Sequence, residues 1–172
     1  MIDLVPYVEV NGTRTVSDGL LRQTFEKIKE DGSHISVFSE GGVKTPDDFI
    51  KMMKSPQNLP VFVLVDKKIS GLAWINGCVE NRAFGHFCFF KEVWGTRSLE
   101  MGKAVLKYWF SFPGNDGPLF DIILGMTPGG NKKALGFITR LGFERVGEIP
   151  KMSRNAYTGD RDSIVLSYYM RA

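Results

Sequence analysis

The chain has 172 residues and a mass of 19.3 kDa, with 43% hydrophobic and 24% charged residues. These values predict one globular domain, residues 1–172, with a core of its own. The formal charge is only +3 and Lys and Arg are scattered, so we expect no nucleic-acid partner. No stretch approaches the ~18 apolar residues of a membrane span. The N-terminus lacks a signal-peptide pattern, so we expect a cytoplasmic protein without a membrane partner.

The two cysteines do not indicate a metal centre. Cys78 and Cys88 lie in apolar, strand-like runs, without CxxC spacing or a neighbouring His/Cys cluster. A domain of this length buries roughly 70% of its unfolded surface and needs no metal or disulfide to fold. We therefore predict two buried thiols and no metal site.

The first half of the chain predicts two helices and then a β meander. Ser17 or Asp18 caps a helix over residues 20–30, and Gly32 follows as a stop. Thr45, followed by a proline and two carboxylates, begins a second helix. The patterning then changes to that of strands. The predicted meander strands are residues 61–65, 69–78 and 82–90.

The second half alternates helices with strands. A helix with a broad apolar face is predicted over residues 99–110, and a Pro/Gly-rich cluster ends it. A buried strand, a Gly-rich turn, a helix and two final strands follow. These elements are predicted at residues 120–124, 127–130, 131–141, 143–149 and 163–170. The order is therefore α, α, a three-stranded meander, α, β, α, β, β.

Two motifs carry a family resemblance. Trp94-Gly95-Thr96-Arg97-Ser98 precedes the helix over residues 99–110. Downstream, Asn131, Ala134, Phe137 and Arg140-Leu141-Gly142-Phe143 are similar to an N-x-x-A-x-x-F-x-x-x-G-F pattern. In both stretches the chain resembles the GNAT superfamily, whose members transfer an acetyl group from acetyl-CoA to an amine. The resemblance covers about residues 60–149.

The resemblance implies a fold and a cofactor site. The implied fold is of the α/β (α+β) class: a mixed central sheet, with an antiparallel meander and a splayed parallel strand pair, flanked by about four helices. The splay, between residues 84–90 and 120–124, admits the pantetheine arm of acetyl-CoA, and the loop at Gly95 cradles its pyrophosphate. The implied cofactor-binding residues are Phe89, Phe90, Lys91, Trp94, Gly95, Thr96, Arg97, Ser98, Asn131 and Phe137.

Each of these binding roles has a structural alternative. A loop at a helix N-terminus offers free N–H groups to a phosphate, and an arginine such as Arg97 can add a charge-assisted hydrogen bond. Equally, Gly95 can form a simple turn while Arg97 is solvated. Asn131 can cap its helix, lie beside pantetheine, or do both.

The catalytic positions depart from the family pattern. Thr96, Arg97 and Ser98 stand where the family's loop alternates glycines, and Ile138 stands where many members have a proton-donating Tyr. The candidate general bases are His86, on the third meander strand, and Glu92, near its end. The alternative for His86, flanked by aromatic residues, is a packing role.

Two functions follow from this reading. The first is an acetyl-CoA-dependent N-acetyltransferase for a small-molecule or protein amine, with a homodimer as one expected assembly. Residues 33–44 and 151–161 would shape its acceptor pocket. The second is a non-catalytic structural or assembly protein of phage or prophage type on the same fold, suggested by the altered loop, Ile138 and the aromatic content.

Overall fold

A computed structural model describes residues 1–171 of the chain. The helices are α1 (Asp18–Glu30), α2 (His34–Val37), α3 (Pro46–Lys54), α4 (Thr96–Trp109) and α5 (Lys132–Leu141). The strands are β1 (Ile2–Pro6), β2 (Glu9–Val10), β3 (Thr13–Arg14), β4 (Leu59–Val65), β5 (Lys68–Val79), β6 (Arg82–Phe89), β7 (Pro113–Gly114), β8 (Gly117–Pro118), β9 (Ile122–Pro128), β10 (Glu144–Arg154) and β11 (Arg161–Met170). A 3-10 turn, Lys91–Val93, joins β6 to the segment before α4.

One mixed sheet of seven strands organises the molecule. Its strand order is β1-β4-β5-β6-β9-β11-β10. Every neighbouring pair is antiparallel except β6 and β9, which run parallel. A parallel pair needs a crossover, and α4 supplies it between β6 and β9. The predicted fold class, a mixed sheet with a meander and one parallel pair, is confirmed.

The two faces of the sheet carry separate hydrophobic cores. On one face, residues of α4 and α5 such as Trp109 and Leu141 pack with Ile123 and Phe89. On the other face, α1 and α3 pack on strand residues that include Trp74 and Cys88. Because strand side chains alternate between faces, β6 sends Phe87 and Phe89 to one core and Cys88 to the other. The middle of β6 is therefore covered on both sides.

The helix ends follow the chemistry of their caps. Ser17 accepts a hydrogen bond from Leu20 N–H (3.2 Å) and begins α1. Thr45 and Asp48 form a capping box at the start of α3. Both caps lie where the sequence predicts them. The helix predicted from residue 99 begins instead at Thr96, directly after Gly95.

Several elements lack a predicted counterpart. The edge strand β1 pairs with β4, and the short helix α2 follows α1. The strand predicted at residues 120–124 is displaced to Ile122–Pro128, which takes in residues assigned to a turn. Cys88 is buried, as expected, but Cys78 is exposed, because the last residues of β5 extend beyond the packed part of the sheet.

Candidate active site

The parallel strands β6 and β9 separate partway along their length. They pair from Arg82 opposite Ile122 to Phe84 opposite Leu124. Beyond that point β6 stays paired with β5 as far as Phe89, while β9 stays paired with β11 as far as Pro128. Each strand thus follows a different neighbour, and the sheet opens between them. The resemblance to the family predicts this splay, although the second strand lies later in the chain than expected.

A cleft of about 510 Å³ lies along the end of β6 that no longer pairs with β9 and is here called the inter-strand cleft. Strand β6, the segment before α4, α5, and the connection from α1 to α2 form its walls. Its lining residues are Asp31, Gly32, Ser33, Ser36, Val37, Phe87, Cys88, Phe89, Lys91, Trp94, Gly95, Ser98, Asn131, Lys133, Ala134, Phe137 and Arg140. The cleft therefore reaches both the α4–α5 side and the α1–α2 side of the sheet.

Free backbone N–H groups lie at one end of the cleft. Within the described chain, the amides of residues 95–98 make no hydrogen bond, and Leu99 N–H makes only a long one to Gly95 O (3.4 Å). Gly95 has φ +99°, which side chains disfavour, and a Cβ there would meet no atom within 4 Å. Helix N-termini bind anions through such amides and through the helix dipole. The start of α4 can therefore hold a phosphate group.

The side chains of the loop lie differently from the prediction. Arg97 lies in the first turn of α4, donates to Glu100 Oε2 (2.9 Å), and is absent from the cleft lining. Thr96 is exposed and also outside the lining. Ser98 is buried in the cleft wall, and its hydroxyl donates to Gly95 O (2.8 Å). Since the helix begins at residue 96, these positions offer main-chain rather than side-chain donors.

Two cationic side chains of α5 lie in the cleft lining, whereas Arg97, the cation that the sequence suggested, does not. Lys133 and Arg140 line the cleft, and the Lys133 ammonium lies 4.9 Å from the centroid of the Trp94 ring. The Trp94 indole N–H donates to Phe89 O (2.8 Å), which fixes this ring at the cleft mouth. Neither residue is among the implied cofactor-binding residues, although Arg140 lies in the second GNAT-like motif. The seven residues between them correspond to two helical turns, which places both side chains on one face of α5. This spacing is the sequence signal that could have identified them.

The remaining predicted cofactor residues divide between the cleft and the core. Asn131 caps α5 by accepting from Ala134 N–H (3.1 Å) and also lines the cleft. Phe89, Lys91 and Phe137 line the cleft as well. Phe90 instead is buried in the core beneath α1 and α3, because it points to the opposite face from Phe89.

His86 lies in a packed stack outside the cleft lining. Its ring stacks on Trp74 at 4.8 Å and 7°. The His86 Nε2–H donates to Asn76 Oδ1 (3.1 Å), because the Asn76 amide nitrogen already donates to Asn58. Burial lowers the pKa of His86 to about 4. The imidazole is therefore neutral near pH 7 and a weak base, and its surroundings match the packing alternative.

Glu92 also lies outside the cleft lining, but a neighbouring carboxylate lies within it. Glu92 is about half exposed, and Lys27 Nζ lies 3.3 Å from its carboxylate. The same ammonium lies 3.3 Å from Asp31 Oδ1. Asp31 is only 7% exposed and accepts a hydrogen bond from Lys91 N–H (2.8 Å). Sequence patterning gave no sign of Asp31, which looks like an ordinary residue at a helix end.

The described residues do not bring a tyrosine to the cleft. Tyr108 packs edge-on against Phe112, and burial raises the pKa of its hydroxyl. The Tyr168 hydroxyl donates to Glu144, and this hydrogen bond is the main reason that its pKa is raised. Ile138 is buried in the core and has no proton to donate. No tyrosine among the described residues is therefore placed to protonate a leaving thiolate in the cleft.

The two segments predicted to shape the acceptor side contact each other. Ala156 N–H donates to Ser39 O (2.7 Å), and the Tyr157 hydroxyl donates to Val43 O (3.2 Å). The first of these segments also contributes Ser33 and Ser36 to the cleft wall. The loop between β10 and β11 therefore supports the connection after α1, which borders the cleft.

The described part of the chain offers neither a membrane-spanning helix nor a metal centre. Across residues 1–171, no helix is long and apolar enough to cross a membrane. The same residues contain no group of three or more His, Cys, Asp or Glu side chains placed to hold a metal ion.

Several solved structures of acetyltransferases are similar to this one. An acetyltransferase from Salmonella typhimurium that modifies the N-terminal serine of ribosomal protein L7/L12 superposes with a TM-score of 0.78 at 8% identity, covering 99% of this chain and 95% of that one. Spermidine N-acetyltransferase from Vibrio cholerae, in complex with CoA and spermine, gives 0.73 at 15% identity, with coverage of 98% and 95%. A GNAT-family acetyltransferase from Bacillus anthracis gives 0.71 at 15% identity, with coverage of 97% and 94%.

Sequence comparison adds no further relative. No protein-family model matches the chain, and no curated protein matches it. The likeness is therefore one of fold, and it extends over nearly the whole length of the chain and of the three solved structures. The chain has the fold of the GNAT acetyltransferases.

Proposed function

We propose that the chain is an acetyl-CoA-dependent N-acetyltransferase that acts on an amine. One observation carries the proposal: β6 and β9 separate after Phe84 and Leu124, and the cleft along the freed end of β6 reaches Gly95 and Ser98 at the start of α4, where the amides of residues 95–98 are free. An opened strand pair offers unpaired backbone groups to an extended ligand, and a helix N-terminus offers donors to a diphosphate. Both features are combined in one cleft of about 510 Å³.

The residues present fit a molecule with an anionic end and a long amide-containing arm. At the anionic end, the amides of residues 95–98 would hold the diphosphate, and Lys133 and Arg140 would add positive charge. Phe89 and Phe137, which meet edge to face at 5.8 Å, would line the arm. Asn131 would lie beside it. Thr96 and Arg97 would take part through their main-chain N–H groups.

The chain's contribution to the reaction would be mainly positioning. When bound, acetyl-CoA supplies an already activated thioester. The transfer forms one C–N bond and breaks the C–S bond; an acceptor ammonium loses two protons, one to the CoA sulfur and one to solvent. Holding two reactants together can itself contribute a large rate gain. Such a mechanism needs no tyrosine at position 138, and water can carry both protons.

Titration calorimetry with CoA and acetyl-CoA tests the binding step. We expect micromolar affinity, and an at least tenfold loss in the Thr96→Asp variant. A carboxylate in the first turn favours the helix itself, so that variant should fold while repelling a diphosphate. Gln23→Glu, an equal charge change on the exposed face of α1, should bind normally.

A screen of amines with thiol detection tests the chemistry. Thiol release that depends on both acetyl-CoA and an amine supports the transferase. No binding of CoA at millimolar concentration would refute it and would favour the non-catalytic phage-type alternative.

The cytoplasmic location and the homodimer stay predictions. Both cysteines are free, which suits a reducing compartment. Size-exclusion chromatography with light scattering would test the homodimer by giving the mass in solution. A mass of one chain at micromolar concentration would contradict it.

A further inference from the structure

The inter-strand cleft is lined by charged residues of both signs. Lys91, Lys133 and Arg140 are cationic, and Asp31 is the one acidic residue in the lining among residues 1–171. The cations suit the phosphates of the proposed cofactor. A carboxylate in the same cleft would repel those phosphates, so Asp31 needs another explanation if the cleft binds acetyl-CoA.

Asp31 has a structural role that leaves its charge unexplained. It follows α1, and its Oδ2 accepts the Lys91 N–H (2.8 Å), which ties the end of β6 to the helix. A neutral amide oxygen could accept the same bond, although more weakly than a carboxylate. Lys27 offsets the charge only partly, because its ammonium lies 3.3 Å from Asp31 and 3.3 Å from Glu92 and is shared by two carboxylates. The group of Lys27, Asp31 and Glu92 therefore carries one net negative charge, with Asp31 as its member in the cleft lining.

The walls around Asp31 suit the approach of a second substrate. Gly32, Ser33 and Ser36 follow it in the lining and have small side chains. They belong to the connection from α1 to α2, on the side of the cleft away from the α4–α5 core. The acceptor, which must reach the thioester without displacing the cofactor, can enter along this wall.

The charge of an amine changes during the transfer. The nitrogen that attacks a thioester must be neutral, so a carboxylate that paired with its ammonium form would lose that interaction as the reaction proceeds. An interaction that stabilises the transition state must persist in it. A buried carboxylate such as Asp31, 7% exposed, therefore favours an acceptor whose positive charge lies on a second group.

We propose that Asp31 is a specificity-determining residue that binds a second positively charged group of the acceptor, so the acceptor class is a diamine or another amine with an additional cation. This inference rests on the proposed acetyltransferase function. It assigns to Asp31 a contact with the acceptor and leaves the proton transfers to other groups. The cations Lys133 and Arg140 remain with the cofactor phosphates.

The test compares two acceptors of equal chain length, 1,4-diaminobutane and n-butylamine, in the wild type and in Asp31→Asn. The asparagine oxygen can still accept the Lys91 N–H, so the variant keeps the tie to β6. Glu30→Gln is the matched control, since it removes the same charge from the adjacent, exposed residue of α1. The readout is kcat/KM for each amine by thiol release, with CoA affinity by calorimetry as a check on folding and the cofactor site.

We expect the wild type and Glu30→Gln to prefer the diamine by at least tenfold, about 1.4 kcal/mol of discrimination. In Asp31→Asn the preference should fall to about one, mainly through a higher KM for the diamine, while the rate with n-butylamine and the CoA affinity stay unchanged. Equal use of both amines by the wild type, or an unchanged preference in Asp31→Asn, would overturn the inference and leave the transferase standing. Transfer to neither amine, together with no CoA binding, would overturn both.

Discussion

His86 makes the stability of the protein depend on pH in a calculable way. In the unfolded chain its pKa is 6.5, and in the folded protein burial lowers it to about 4. Below pH 6.5 the unfolded chain therefore binds a proton that the folded protein does not bind. The free energy of unfolding consequently decreases as the pH is lowered from 6.5 toward 4, and above pH 6.5 the effect is absent. At about 1.4 kcal/mol per pKa unit, the full effect is about 3 kcal/mol, of which about 2 kcal/mol is lost between pH 7 and pH 5.

Urea unfolding at pH 7, 6 and 5 measures this effect when the wild type is compared with His86→Phe. The phenylalanine ring can keep the stack on Trp74 but cannot take up a proton. Other titrating groups contribute alike to both proteins and cancel in the difference. We expect the free energy of unfolding of the wild type to fall by about 2 kcal/mol more than that of the variant. Parallel pH profiles would refute the assignment of His86 as a buried, neutral side chain.

Three further changes test packing, capping and the cleft mouth. Gly85→Ala should lower the free energy of unfolding by about 1–3 kcal/mol, because the added Cβ would lie 2.6 Å from the buried Ile123 side chain; an unchanged urea midpoint would contradict this packing. Thr45→Ala should lower the free energy of unfolding by about 1 kcal/mol in the same measurement, because it removes the hydroxyl that accepts the Asp48 N–H. Thr45→Ser keeps that hydroxyl and should change the free energy hardly at all. CoA should alter the tryptophan fluorescence of the wild type but hardly that of Trp94→Phe, because this ring lies at the cleft mouth, bonded to Phe89 O; equal changes would place the ligand elsewhere.

The predictable parts of the fold were those encoded locally. The caps at Ser17 and Thr45 depend on residues three positions apart, and the alternation of β6 follows from strand geometry alone. The start of α4 was harder to place. Thr96, Arg97 and Ser98 are not strong helix formers, and the family resemblance suggested a loop at these positions. Instead, Gly95 adopts a positive φ of +99°, and α4 begins at the next residue.

The parts of the candidate site that the sequence did not reveal depend on tertiary packing. Asp31 lies 60 residues from Lys91 in the chain, and nothing local predicts that they meet. Lys133 lines the cleft only because α5 packs beside the start of α4. His86 is a candidate base by residue type and strand position alone, and the stack on Trp74 that covers its ring is a contact that local sequence does not predict.

In the proposed complex, the main-chain amides at the start of α4 bind the diphosphate of CoA. Amide chemical shifts measured by NMR, with CoA or with pantetheine as the ligand, test it most directly, because pantetheine has the arm of CoA without its phosphates. We predict that the amide signals of residues 95–98 shift on saturation with CoA and stay in place with pantetheine. If those four signals do not move at saturating CoA, or move equally with both ligands, the account is contradicted.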